Sequence, residues 1–166
     1  MVGYDALVSP GIGRRRLLRL RTAHLRYRKR YPATPEKVWE SLTSDESLAA
    51  WGPSIKNVTW TSPRPFGVGT TREVIAPGGM TVRERYFHWD EGRNHSFYVY
   101  EATVPVFHRF AEDYLVEPDG DQTLFTWALA LEPKKAFALP VKVLAPLLRA
   151  GFGRIPSSGV GYFAKH

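Results

Sequence analysis

Four consecutive segments decide how this chain folds: MTVRERYFHWDEG (80–92), RNHSFYVYEAT (93–103), HRFAEDYLVEP (108–118) and QTLFTWALALEP (122–133). Each is rich in Tyr, Phe, Trp, Val and Thr, which suit a pleated surface, and each is bounded by turn-forming residues. Asp90-Glu91-Gly92 and Pro118-Asp119-Gly120 supply short hairpin connections, so neighbouring strands run antiparallel. Strands of about ten residues span about 33 Å. A sheet that long twists and curls, and something must fill its concave face.

Working outward, AHLRYRKRYP (23–32) alternates, with Leu25, Tyr27, Lys29 and Tyr31 on one face and Arg26, Arg28 and Arg30 on the other. It reads as an opening strand with one solvated basic side. From Thr34 the period changes. Thr34 can cap a helix, Pro35 suits its first position, and Val38, Trp39 and Leu42 make an apolar stripe. Thr43-Ser44-Asp45-Glu46 has capping-box spacing, which predicts a second short helix burying Leu48, Ala49 and Trp51 and stopped by Gly52-Pro53. Residues 55–62 and 70–76 read as shorter strands around SPRPFGVG, which brings the strand count to seven. After Pro133 helical spacing returns: Leu139, Val143, Leu147 and Ala150, widened by Val141, Leu144 and Leu148. Pro146 falls inside that pattern and predicts a kink. Gly151, Gly153, Pro156 and Gly159 predict a helix that is broken or weakly held after about residue 150.

At 166 residues the chain is the size of one domain, and its 43% hydrophobic and 23% charged content is that of a globular protein. The absence of cysteine excludes disulfides and thiolate zinc sites. The net charge of +7 suggests nucleic acid until it is divided. Residues 1–30 hold nine Lys or Arg against Asp5 alone, and the remainder is close to neutral. No basic groove on the folded domain is expected, and no specific nucleic-acid partner. Residues 1–22, including RRRLLRLR (14–21), are read as a basic, flexible arm preceding a single domain over 23–166. Weak contact of Arg14 to Arg30 with an anionic surface or a nucleic acid is the sharper alternative to a solvated arm. No apolar leader or membrane-length span is present, so a cytoplasmic location is expected.

The order strand, two short helices, antiparallel strands, terminal helix resembles the helix-grip fold of the SRPBCC superfamily. That group includes START lipid-transfer domains, birch-pollen-allergen-like proteins and polyketide cyclase/dehydrase-like proteins. ATPEKVWESLTSDESLAAWGPSIKNV (33–58) looks like the family's opening motif, and GMTVRERYFHWDEGRNHSFYVYEA (79–102) and GDQTLFTWALALEP (120–133) look like its paired and final strands. The resemblance covers residues 23 to about 150. It implies an α+β fold in which a seven-stranded curved antiparallel sheet wraps a long C-terminal helix, with two short helices between strands 1 and 2. It also implies a cavity between sheet and helix. The family shares no catalytic motif that could be carried over by position. Pro146 and the Gly-rich tail depart from the family's usual unbroken terminal helix.

Strand alternation nominates the cavity lining. Val82, Glu84, Tyr86 and His88 share one face, opposite Arg83, Arg85, Phe87 and Trp89. Arginines belong in water, so the first set is expected inward unless a bulge slips the register. By the same logic Phe97, Val99 and Glu101, then Phe110, Glu112 and Tyr114, then Phe125, Trp127 and Leu129 face inward, with Trp60 and Leu144 closing the list. Glu84, Glu101 and Glu112 could be cavity carboxylates of raised pKa, or could pair with a neighbouring arginine such as Arg85 or Arg109. Glu84, Glu112 and His88 are the catalytic candidates. Tyr86, Tyr98, Tyr100, Tyr114 and His88 could hydrogen-bond a ligand's polar end. His88, His95 and His108 lie on three strands without metal-ligand spacing, so no metal is expected, and no phosphate loop, dinucleotide fingerprint or nucleophile elbow implies a cofactor. These features favour binding of a hydrophobic small molecule, such as a lipid, polyketide or sterol-like compound. A cyclase or aromatase/dehydratase-type enzyme is the alternative, and either a monomer or a homodimer is compatible with the sequence.

Overall fold

A computed structural model describes residues 23–166 of the chain. The basic arm read over residues 1–22 lies outside the described residues. Seven strands form one antiparallel sheet in the order β1-β7-β6-β5-β4-β3-β2. They are β1 Ala23–Tyr31, β2 Asn57–Trp60, β3 Thr71–Ile75, β4 Thr81–Asp90, β5 Asn94–Ala102, β6 Phe107–Asp119 and β7 Gln122–Pro133. The four long segments are therefore β4 to β7, hairpin after hairpin. The first strand closes the sheet by pairing with the last, from Ala23 opposite Leu131 to Tyr31 opposite Thr123.

Helix α1, Pro35–Thr43, begins as its sequence dictates: the Lys37 amide donates to Thr34 Oγ1 at 3.4 Å, and Val38, Trp39 and Leu42 are buried. The second expected helix is only a 3-10 turn, Ser47–Ala50. The capping box does not form, because the Thr43 hydroxyl donates back to the Trp39 carbonyl at 3.0 Å. Ser44 Oγ accepts the Ser47 amide in its place at 2.9 Å. Leu48 and Trp51 are nonetheless buried.

The C-terminal region inverts the expectation. It comprises α2, Ala138–Val143, and α3, Ala145–Phe163, bent by 78° at the break between them. Pro146 occupies the first turn of α3 rather than its interior. Beyond residue 150, where propensity predicts weakness, α3 runs on without interruption through Gly151, Gly153, Pro156 and Gly159. Tertiary packing explains this, since a helix is held mainly by its buried face. A Cβ at Gly159 would lie 2.7 Å from the Tyr31 ring, so glycine is what lets α3 lie directly on β1. The Tyr31 hydroxyl donates to the Pro156 carbonyl at 2.9 Å, and the Tyr27 hydroxyl to the Arg149 carbonyl at 2.8 Å. Ile155 and Phe163 complete the buried face, with the Phe163 ring 4.9 Å from that of Tyr31. Arg26, Arg28 and Arg30 face solvent on the other side of β1.

Candidate functional site

Two register slips determine which side chains β4 and β5 turn inward. Val82, Glu84 and Tyr86 are buried in alternation. A shift between Tyr86 and His88 then leaves Phe87 as an extra residue, so His88 rotates out to solvent and Trp89 takes the inner side. A second shift, at Arg83/Glu84, pairs Glu84 with Val99 and inserts Tyr100 before Glu101. Phe97 and Val99 are buried, but Glu101 is exposed and bonded to Arg83 at 2.7 Å. The inward assignment of His88 is thus corrected by a β-bulge, which adds one residue to a strand and reverses all that follow, whereas Glu101, turned outward by the second bulge, still belongs to the lining of the pocket at that end of the sheet. Leu144 is also corrected: it sits at the α2–α3 break and is exposed. Trp60 is partly buried, stacked on Phe66 at 4.1 Å, and donates from Nε1 to the Ser44 carbonyl at 2.7 Å.

Glu84, Tyr86, Phe97, Glu112, Tyr114, Phe125, Trp127 and Leu129 come together in a dense aromatic interior. At its centre is Arg72, which is buried and was not expected. Its Nε donates to Glu84 Oε2 at 2.6 Å and its Nη1 to Ser47 Oγ at 3.1 Å. Its guanidinium lies 4.6 Å from the Phe97 ring centroid, a cation–π contact. The one available signal was parity, since Arg72 shares the inner side of β3 with Val74. Burial raises the Glu84 carboxyl above its ordinary value, and the Arg72 guanidinium opposes that rise.

Among the described residues Glu112 pairs with no arginine. Its Oε2 accepts from Tyr114 Oη at 2.8 Å and from Trp127 Nε1 at 2.7 Å. Burial first, then the neighbouring Glu84 carboxylate, push it up to about 8, against those hydrogen bonds. Among the described residues, then, the interior holds the Arg72–Glu84 pair and, beside it, a Glu112 carboxyl that burial inclines to keep its proton. His95, also unassigned by the sequence, is fully buried among Trp39, Tyr86, Trp89 and Tyr114. Neither of its ring nitrogens, nor the Tyr86 hydroxyl, has a hydrogen-bond partner among the described residues. Burial, then Arg72, hold the imidazole well below its ordinary value, so it stays neutral.

A pocket of about 420 Å3 opens at the end of the sheet where β5 passes into β6. Val82, Val99 and Phe110 line it together with Met80, Ala102, Val104, Pro105, Val106 and Phe107, while Tyr100, Glu101, His108 and Lys134 bring polar groups. Its apolar floor lies one inward-facing position from Glu84 on β4 and from Glu112 on β6. None of its lining comes from α2 or α3. A second, more polar groove of about 400 Å3 lies between α1 and the end of α3, with Lys37, Glu40, Asp45, Glu46, Tyr162 and His166 in its walls. Among the described residues no group of three or more His, Asp or Glu side chains could hold a metal ion.

This architecture recurs among solved structures. The Zhui aromatase/cyclase of a Streptomyces species superimposes with a TM-score of 0.70 at 14% identity, over 87% of this chain and 94% of that one. A START superfamily protein of Mycobacterium smegmatis gives 0.67 at 16% identity, over 86% and 97%. The ginseng major latex-like protein gives 0.60 at 18%, over 82% and 97%. At such identities the likeness is one of fold. In sequence, an uncharacterised protein of Mycobacterium tuberculosis is 34% identical over 121 residues, covering 73% of this chain and 72% of the relative. The family model for polyketide cyclase/dehydrase and lipid transport proteins matches residues 22–164. The chain has the helix-grip fold and belongs to that family, within the SRPBCC superfamily.

Proposed function

We propose that the protein binds a hydrophobic small molecule, of lipid, polyketide or sterol-like character, in the pocket at the β5–β6 end of the sheet. The observation that carries this reading is the pocket's composition: an apolar floor and wall with Tyr100, Glu101, His108 and Lys134 around them. Its volume of about 420 Å3 suits a compact ligand. Affinity comes mainly from apolar area, at roughly 25 cal/mol per Å2, less the cost of immobilising the ligand. The polar groups then fix which end of the ligand enters first. Native mass spectrometry of the purified protein should find a co-purifying apolar compound, and an apolar fluorescent probe should compete with it. Ala102→Trp, which projects an indole into the pocket, should weaken probe binding at least tenfold. Unchanged affinity in that variant would remove the proposed site.

A second reading, a cyclase or dehydratase-type enzyme, is favoured by one observation: Glu112 keeps its proton at neutral pH, as a general acid requires. The exposed His88 offers no such role, which leaves Glu84 and Glu112. Glu112→Gln or Glu84→Gln should then abolish turnover while sparing ligand binding. Equal loss of both would leave binding as the function.

A further inference from the structure

We propose that the protein docks on anionic phospholipid bilayers through α2 and the first turns of α3, bringing the pocket mouth down onto the membrane surface. This goes beyond ligand binding and does not depend on it. The α2 helix has no buried residue at all. Leu139, Val143 and Leu147 are 70%, 68% and 70% exposed, and Phe137 and Leu144 stand beside them. An apolar cluster of this kind on a water-facing bend marks an interaction surface. The 78° bend turns α2 away from the line of α3, and α3 begins to bury side chains fully only at Ile155.

Charge identifies the partner. Residues 134–166 contain six Lys and Arg and no Asp or Glu. Lys134, Lys135, Lys142 and Arg149, all exposed, flank the apolar cluster. Leucine and valine set among lysines form the pattern of a helix lying in a bilayer interface, the apolar side chains entering the acyl boundary and the cations meeting lipid phosphates. A protein partner would need complementary acids and a shaped apolar face, whereas a bilayer needs only this composition. No single helix among the described residues is long and apolar enough to span; α2 and α3 together have the length and composition of a bent span, but the second half of α3 is packed on the domain through Ile155, Pro156, Gly159 and Phe163, so the contact is interfacial. The cluster is continuous with the pocket: Lys134 lines it, and its amide donates to the Val106 carbonyl at 3.0 Å. Val104, half exposed on the same rim, adds to the apolar border.

The chain lacks cysteine, so a single thiol can be placed at will. Full-length Leu139→Cys carrying a polarity-sensitive dye is mixed with vesicles of phosphatidylglycerol and phosphatidylcholine, or of phosphatidylcholine alone. The dye should report water without vesicles and shift to the blue with the anionic ones, and the shift should weaken as salt rises. The same dye at Asp121→Cys, at the opposite end of β7, should not respond. The Leu139→Asp/Leu147→Asp variant, whose altered positions are exposed and do not threaten folding, should partition at least tenfold more weakly. A dye that stays water-like throughout overturns the proposal. So does one already blue-shifted before vesicles are added, which would mean that residues 1–22 or a second copy cover the face, two cases that sedimentation separates. Undiminished partition of the double variant would also overturn it, assigning membrane affinity to Arg14 to Arg30.

Discussion

Glu112 and Arg72 face the same interior but respond to pH and mutation in different ways. Glu112 titrates near 4.5 when unfolded and at about 8 when folded. Between those values the folded chain retains a proton that the unfolded chain has lost. Its contribution is therefore complete at low pH and declines as pH rises through that window, by on the order of 3–5 kcal/mol. His95 acts in the opposite sense, losing stability as pH falls below its unfolded value. The decisive quantity is thus the difference between parent and Glu112→Gln in urea unfolding at about pH 5 and about pH 8, and the variant should show the flatter loss. Arg72→Met leaves the Glu84 charge buried alone and should cost about 3–5 kcal/mol, whereas Arg72→Met with Glu84→Leu should recover much of it. A double-mutant cycle by chemical denaturation measures that coupling. Period-two alternation was enough to place Glu84, Glu112 and the surrounding rings inside. It could not place Arg72, because arginine's preference for water argued the other way until Glu84 and Ser47 were seen to satisfy it. Nor could it place His88 and Glu101, whose orientation depends on bulges that leave no mark in composition.

At the scale of elements, α3 shows what propensity omits. Glycine and proline weaken an isolated helix, yet here they bring it against β1. Gly159→Ala should destabilise by about 1–3 kcal/mol, because its methyl would meet the Tyr31 ring at 2.7 Å. Gly161→Ala, two residues on with open space around it, should instead stabilise by up to about 1 kcal/mol. Thermal melts of the two variants should move in opposite directions. The strands were legible because aromatic and β-branched residues between turn formers say much about pairing. The tandem helices were half legible: the Thr34 cap is local and formed, whereas the capping box at Thr43 lost its hydroxyl to the preceding turn. The pocket was less legible. Its wall draws on Val104 to Phe107 and Lys134, residues that fall between or just beyond the segments read as strands and carry no motif.

For the whole molecule, the fold follows from four hairpin-linked strands, while the location of the open space depends on where side chains run out. Wide rings fill the middle of the sheet's inner face. Smaller valines and alanines lie toward the β5–β6 end, and there the pocket opens. The strand order carries one more consequence. Because β1 pairs with β7 and, among the described residues, with no other strand, the opening strand has no hydrogen-bonding neighbour until the last strand exists. During synthesis on the ribosome, its alternating arginines and tyrosines must wait unpaired while the hairpins form behind them. The exposed cations along that strand suit the interval, since they keep a solitary edge in water and discourage it from joining another chain.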